Sequence, residues 1–205
     1  MKYLRFIFLS IAILGLLACA KPPQAEIDAA NAALTEAKNA EAEIYAPDSL
    51  KAAQTAIADM QAELDVQQGK FALFRSYEKA KELANAAKQA GEKAKSDAEA
   101  KKQQVKAEAE TLMNEVKTAL NEANDLMKKA PKGKGSKADI EALQADLGAV
   151  QPMIDQAQAS FDAGKFMDAK TKLEEAKAKV SSVKDAINQA IEMSKGKKTA
   201  QGKKK

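Results

Sequence analysis

Alanine at helical spacing is the feature that most constrains the fold of this chain. It supplies 44 of the 205 residues, nearly half of the hydrophobic set that makes up 45% of the sequence. Apolar residues recur at alternating three- and four-residue steps, the spacing of one face of an α-helix. Because alanine buries little surface, such helices must be long and must pack closely to be stable. With aromatic residues at only 4% and few β-branched side chains, the sequence predicts an all-α fold.

Interruptions of the apolar spacing predict where the helices begin and end. Pro47 suits the first turn of a helix, Gly69 suits a left-handed cap at a helix end, and Gly164 is expected to end another helix. Residues 131–135 read Pro-Lys-Gly-Lys-Gly and form a clear break. No proline lies within residues 71–130, which predicts one very long helix of roughly 90 Å. The predicted helices cover residues 25–45, 47–67, 70–95, 105–129, 137–163 and 165–193.

These helix lengths predict an elongated molecule made of antiparallel helical bundles. The expected arrangement is two three-helix bundles that share one very long central helix, similar in outline to spectrin repeats. So little bulk fills each apolar stripe that a single extended hairpin or an intermolecular coiled coil is the alternative. The oligomeric state therefore stays open at this point.

Two local features carry expectations of their own. Gly69-Lys70-Phe71 and Gly164-Lys165-Phe166 repeat one tripeptide at two predicted turns. Phenylalanine is expected to fill the corner of a helical hairpin there, where alanine is too small, although a ligand pocket is conceivable. Pro152 lies inside a predicted helix, and its ring should press on the carbonyl of Gly148 and cause a kink. The phenylalanines flanking the two turns are Phe71, Phe74, Phe161 and Phe166.

The N-terminus has the pattern of a secretory signal. Lys2 and Arg5 precede an apolar run over residues 6–17. A run of about a dozen residues is too short for a membrane-spanning helix, which needs about 20. It has the length of the hydrophobic region of a signal peptide.

The end of this apolar run carries a more specific motif. Leu16-Leu17-Ala18-Cys19 resembles the lipobox of bacterial lipoproteins, with an aliphatic residue three positions before the cysteine and a small residue directly before it. The resemblance implies a diacylglycerol on the Cys19 thiol, cleavage after Ala18 and a fatty acyl group on the new amino terminus. Cys19 is the only cysteine, so it has no disulfide partner within the chain. Ala20 is not an aspartate, which by the same resemblance implies the outer membrane, on the periplasmic side.

A second resemblance covers roughly residues 25–100. Alanine-rich helices, the segment Tyr45-Ala46-Pro47-Asp48-Ser49-Leu50 and the turn at residues 69–71 resemble the helical hairpins of bacterial lipoproteins grouped as domain of unknown function 4398. That family implies an envelope location and no activity. The predicted organisation is a signal peptide at 1–18, a lipidated tether at 19–24, a first bundle at 25–104, the end of the shared helix at 105–129, a basic linker at 130–136, a second bundle at 137–194 and a tail at 195–205.

The composition excludes several kinds of chemistry. The chain has no histidine and one cysteine, so histidine acid–base catalysis, a Cys–His nucleophile and a Cys/His zinc site are ruled out. No catalytic residue, metal ligand or cofactor is assigned, apart from the covalent lipid on Cys19, and the protein is not expected to be an enzyme. Residues 20–127 carry 14 basic and 19 acidic side chains, which argues against nucleic-acid binding.

The C-terminal segment concentrates positive charge. Residues 195–205 contain six lysines and no acidic residue, a composition that predicts disorder. The expected partner of this segment is an anionic envelope polymer such as peptidoglycan. Lys205 also resembles the terminal lysine of the Braun-type lipoprotein, which is joined covalently to peptidoglycan, although Lys203-Lys204-Lys205 stands where that family has Tyr-Arg-Lys. The candidate contact residues are Lys195, Lys197, Lys198, Lys203, Lys204 and Lys205.

Two classes of function follow from these patterns. The first is a non-catalytic, membrane-anchored structural or adaptor module that contacts peptidoglycan or envelope proteins. The second is a periplasmic holdase or cargo-binding module for unfolded or lipidic clients. A sustained apolar stripe buried within the bundles favours the first class, and exposed apolar patches favour the second.

Overall fold

The computed structural model describes residues 20–130 and 137–202, and this part of the chain is helical and contains no strand. The all-α prediction is confirmed. The chain divides into two compact units, the first ending at Lys101 and the second beginning at Lys102. The helices are α1 (Gln24–Asn39), α2 (Ala42–Tyr45), α3 (Pro47–Gly69), α4 (Glu78–Met127), α5 (Lys137–Gly148), α6 (Val150–Asp162) and α7 (Phe166–Gly202), with a 3₁₀ turn at Ala72–Phe74.

The first unit is a three-helix bundle in which α1 and the first half of α4 run parallel. Lys81 Nζ lies 3.1 Å from Glu26 Oε1, and Lys95 Nζ lies 3.0 Å from Glu36 Oε2, so the two helices advance together. Helix α3 runs the opposite way. Ser49, near its start, donates a hydrogen bond to Asp97 late in this half of α4.

Alanine and glycine set the spacing of the helices in the first unit. A Cβ atom at Gly91 would lie 2.8 Å from the backbone carbonyl carbon of Ala33 and 2.8 Å from the Ala33 Cβ. No side chain fits there, because α1 and α4 approach so closely that the backbone of α1 occupies the space. The close packing expected of an alanine-rich core is therefore present. The fully buried alanines of α1 and of the first half of α4 include Ala30, Ala37, Ala80, Ala84, Ala87, Ala94 and Ala98.

The second unit is also a three-helix bundle, but larger side chains fill its core. Its helices are the second half of α4, the broken helix α5–α6, and α7. Lys179 on α7 bonds Asp146 on α5 at 2.8 Å, and the ion pairs between α4 and α7 described below show that those two helices are parallel. The buried core includes Val105, Val116, Leu147, Val150, Ile154, Leu173, Val180, Val183 and Ile187.

The predicted helix boundaries need three corrections. The long helix begins at Glu78 rather than near Phe71, so its 50 residues span about 75 Å. The helix predicted over 25–45 is interrupted at Glu41, whose φ of 61° is left-handed. Gly69 is the last residue of α3 and has no positive φ, so it is not the left-handed cap expected; Gly164, with φ of 76°, is one.

The helix is interrupted at the place where a kink was expected from Pro152. Helix α5 ends at Gly148, and α6 begins two residues later at Val150. Pro152 then occupies the first turn of α6, where its missing N–H costs no helical hydrogen bond. Pro152 follows Gly148 by four residues, and a proline ring conflicts with the backbone carbonyl four residues before it in a continuous helix.

The last helix is longer than predicted. Helix α7 continues to Gly202, so residues 195–202 have a helical backbone instead of the disorder expected for the tail. Residues 195–202 extend a helix that is already established, so no new helix nucleus has to form. Residues 203–205 of the predicted tail lie outside the described residues. So do residues 131–136 of the predicted basic linker.

Candidate functional site

The site residues predicted from the sequence fall mostly outside the part that the structure describes. The lipobox residues Leu16, Leu17, Ala18 and Cys19 precede Ala20, the first described residue. Lys195, Lys197 and Lys198 belong to the backbone of α7, and Lys203, Lys204 and Lys205 follow its end. All of these side chains therefore lie outside what the structure describes.

Residues 70–77 join α3 to α4 and have an unusual surface. We call this segment the apolar loop. Three large apolar side chains are exposed there: Phe71 by 68%, Leu73 by 62% and Phe74 by 75%. The expectation that Phe71 and Phe74 fill the corner between two helices is wrong. Met60, Leu64 and Tyr77 fill the core at this end of the unit, so the two phenylalanines remain outside it.

Gln67 supports the apolar loop from the end of α3. Its side chain is 5% exposed; its Nε2 donates to Glu63 Oε1 at 2.6 Å, and its Oε1 accepts a bond from the backbone N–H of Ser76 at 3.1 Å. The hydrogen bond from Gln67, and after it the one from Lys79, holds the pKa of Glu63 below its ordinary value. These hydrogen bonds favour the ionised form of Glu63, which accepts the bond that holds the Gln67 amide.

Arg75 supports the same loop from its other end. Its Nε donates to the backbone carbonyl of Lys70 at 3.0 Å, and its Nη2 donates to the carbonyl of Gln68 at 2.9 Å. Hydrogen bonds from a charged donor are stronger than neutral ones. These hydrogen bonds fix the backbone of the apolar loop, which we therefore call braced, while its three apolar side chains stay exposed.

At the second Gly-Lys-Phe tripeptide the phenylalanines are partly buried instead of exposed. Gly164 turns the chain in the left-handed conformation, and α7 starts two residues later at Phe166. The rings of Phe161 and Phe166 lie 5.0 Å apart, both partly buried, and Lys106 Nζ lies 5.8 Å from the centre of the Phe166 ring. The corner-filling prediction is confirmed for this pair. The two turns differ in backbone: Gly164 has a positive φ and Gly69 does not, and the next α-helix begins at Phe166 in the second unit but only at Glu78 in the first.

A ladder of three ion pairs joins α4 to α7 in the second unit. The paired positions are all 62 residues apart and recur every seven residues, which fixes a parallel register between the two helices. The hydrogen bond to Glu108 raises the pKa of Lys170. Each exposed pair contributes about 0–1 kcal/mol, so the ladder selects the register more than it adds stability. The pairs are Lys170–Glu108 at 2.7 Å, Lys177–Glu115 at 2.6 Å and Lys184–Glu122 at 2.7 Å.

Residues 20–130 and 137–202 show neither a metal centre nor a membrane span. No three of their acidic or cysteine side chains are grouped so that they could hold a metal ion. None of the helices described combines the length and the apolar composition needed to cross a membrane. Two grooves of the second unit are open to solvent, and their walls include Glu108, Glu115, Glu122 and Lys170 from the ladder.

No protein-family model, no curated protein and no solved structure matches this chain. The lipobox and the resemblance over residues 25–100 stay predictions from the sequence.

Proposed function

We propose that this chain is a membrane-anchored lipoprotein of the bacterial cell envelope that serves as a non-catalytic structural or adaptor module. The observation that carries the proposal is Leu16-Leu17-Ala18-Cys19 after an apolar run of signal-peptide length. The outer membrane, on its periplasmic side, is the proposed location because Ala20 follows the cysteine.

The two helical units fit a structural role. Each unit has its own buried core, and helix α4 contributes to both cores through residues such as Ala84 and Val116. Lysine and glutamate side chains join helices in both units. Packed helical units joined by side-chain ion pairs are suited to a structural role and need no catalytic residue.

We expect Cys19→Ala to abolish lipidation completely. The thiol is the acceptor of the diacylglycerol, and alanine offers no nucleophile in its place. The measurement is incorporation of radioactive palmitate into the full chain expressed in a Gram-negative host, with Ala20→Ser as the matched control that should still label. Equal labelling of the Cys19→Ala variant would refute the anchor.

We further propose that the lysines of residues 195–205 contact an anionic envelope polymer, with peptidoglycan as the first candidate. Replacing all six lysines by glutamine removes the charge and keeps the helix propensity of residues 195–202. Co-sedimentation with purified sacculi at low salt should then fall by about an order of magnitude. Raising the salt should weaken binding of the unaltered chain in the same way.

Two other results of this experiment are informative. Binding that survives boiling detergent would indicate a covalent link, for which Lys205 is the candidate. Unchanged co-sedimentation of the six-glutamine variant would show that the lysines do not bind the polymer.

The second candidate function, a holdase or cargo-binding module, is favoured by one observation. Phe71, Leu73 and Phe74 form an exposed apolar patch, and such patches mark binding sites. The patch lies on a single braced loop rather than along a groove between helices. Suppression of the aggregation of an unfolded client, lost in the Phe71→Ser, Phe74→Ser double variant, would support the holdase function over the structural one.

A further inference from the structure

The apolar loop lies at the same end of the first unit as the start of α1. Helices α1 and α4 run parallel there, because Glu26 on α1 pairs with Lys81 on α4 at 3.1 Å. Ile27 packs against the cluster that contains Tyr77, the last residue of the loop. The loop and the residues that lead into α1 are therefore neighbours.

The loop also extends beyond the first residues of α1 and α4. Glu63 on α3 pairs with Lys79 at 3.2 Å, which places Glu63 level with the start of α4. Helix α3 continues from Glu63 to Gly69, which adds about 9 Å in the direction away from the body of the unit. Phe71, Leu73 and Phe74 follow that extension, so they belong to the outermost part of this end.

The chain between Cys19 and α1 is short. Residues 20–23 precede α1, and four residues span at most about 14 Å even when fully extended. A lipid on Cys19 would hold this end of the first unit close to the membrane surface. The exposed apolar side chains lie at that same end.

We propose that the apolar loop inserts into the lipid surface beside the anchor, as a second membrane contact that orients the first unit. The inference rests on the proposed lipidation of Cys19. Phe71, Leu73 and Phe74 supply the apolar side chains that enter the interface, and Lys70 lies beside them with a cationic group suited to anionic headgroups. The hydrogen bonds from Gln67 and Arg75 already fix the loop backbone, so insertion requires little reordering of the loop.

Tryptophan fluorescence tests this contact directly, because the chain contains no tryptophan. Phe74→Trp places a single reporter in the loop, and Leu73→Trp provides a second one. Ile44→Trp is the matched control: Ile44 is an exposed apolar residue, by 54%, on α2, which connects α1 to α3 at the opposite end of the unit. The acylated full chains are placed in vesicles of phosphatidylethanolamine and phosphatidylglycerol that carry bromine on the upper part of the acyl chains.

We expect the bromines to quench about half or more of the emission of the two loop variants, because interfacial side chains lie about 5–10 Å deep. The Ile44→Trp emission should not change. Acylation of each variant is followed by palmitate labelling, and attachment by flotation with the vesicles.

Four results would overturn the proposal. If labelled, floating protein shows no quenching in either loop variant, the loop does not enter lipid although the anchor stands. Quenching of Ile44→Trp to the same extent would mean that the unit lies flat on the membrane without orientation. Absence of palmitate label would remove the anchor and this inference with it. Loop emission that is unquenched by brominated lipid but shifted to the blue in native envelope membranes would assign the loop to a protein partner instead.

Discussion

Gly91→Leu is expected to destabilise the first unit by about 3 kcal/mol or more. Even the first atom of the new side chain would lie 2.8 Å from the backbone of Ala33, and backbone cannot rotate aside as a flexible side chain can. Helix α1 would have to move away from α4, and the alanines on both helices would lose the contacts that only a short distance permits.

Tyrosine fluorescence follows this change selectively. The three tyrosines are Tyr3, Tyr45 and Tyr77; Tyr3 belongs to the predicted signal peptide, and the other two are buried in the first unit, at 6% and 7% exposure. The midpoint of their urea transition should fall markedly in the Gly91→Leu chain.

Gly69→Leu is the matched control for this prediction. A Cβ at Gly69 would meet no atom within 4 Å, and leucine is a better helix former than glycine. Stability should stay the same or rise by up to about 1 kcal/mol. A midpoint for Gly91→Leu equal to that of the control would show that the close contact between α1 and α4 is absent in solution.

Leu173→Ala is expected to destabilise the second unit by about 2–5 kcal/mol, as a large-to-small change in a packed core. Leu173 is 0% exposed and belongs to a cluster built from all the helices of that unit. Hydrogen exchange resolves the effect, because protection should fall along α6 and α7 in the second unit. Urea unfolding followed by far-ultraviolet circular dichroism measures its size.

The same substitution at Leu73 serves as the control. Leu73 is 62% exposed in the apolar loop, so Leu73→Ala removes a side chain that is already in water and should change stability by less than about 0.5 kcal/mol. Equal losses of stability in Leu173→Ala and Leu73→Ala would contradict the assignment of Leu173 to the core. Because Leu73 is a proposed membrane contact, this control is measured without lipid.

The position of the apolar stripe was largely predictable from the sequence, because helical periodicity needs only the spacing of residues. Ala84, Ala94 and Val116, which follow this spacing within the predicted long helix, are fully buried. In the second half of α4 the spacing alone is less decisive. Met113 and Leu120 are buried, whereas the adjacent Leu112 and Ala119 are only partly buried. Neighbouring apolar residues compete there, and the rotation of the helix against its partners selects between them.

The turns were harder to predict than the helices, since their geometry depends on contacts between residues from different elements. Nothing in the sequence around Glu41 signals a left-handed residue, which is rare without glycine. The start of α4 at Glu78 depends on Gln67 and Arg75, whose hydrogen bonds stabilise a non-helical loop in place of another two turns of helix. The apolar spacing continues through Leu73, so periodicity alone extends the helix too far.

The candidate sites also divide into those that the sequence predicted and those that only the structure revealed. The sequence by itself determined the lipobox at Leu16–Cys19 and the lysines of residues 195–205 as candidates, because a processing motif and a charge cluster consist of neighbouring residues in the chain. Only the tertiary structure decided that Phe71 and Phe74 face solvent while Phe161 and Phe166 pack together. Both pairs flank the same tripeptide, and burial depends on what the surrounding helices leave unfilled. In the first unit Met60, Leu64 and Tyr77 already fill the core, whereas in the second unit the left-handed Gly164 turns Phe166 onto Phe161.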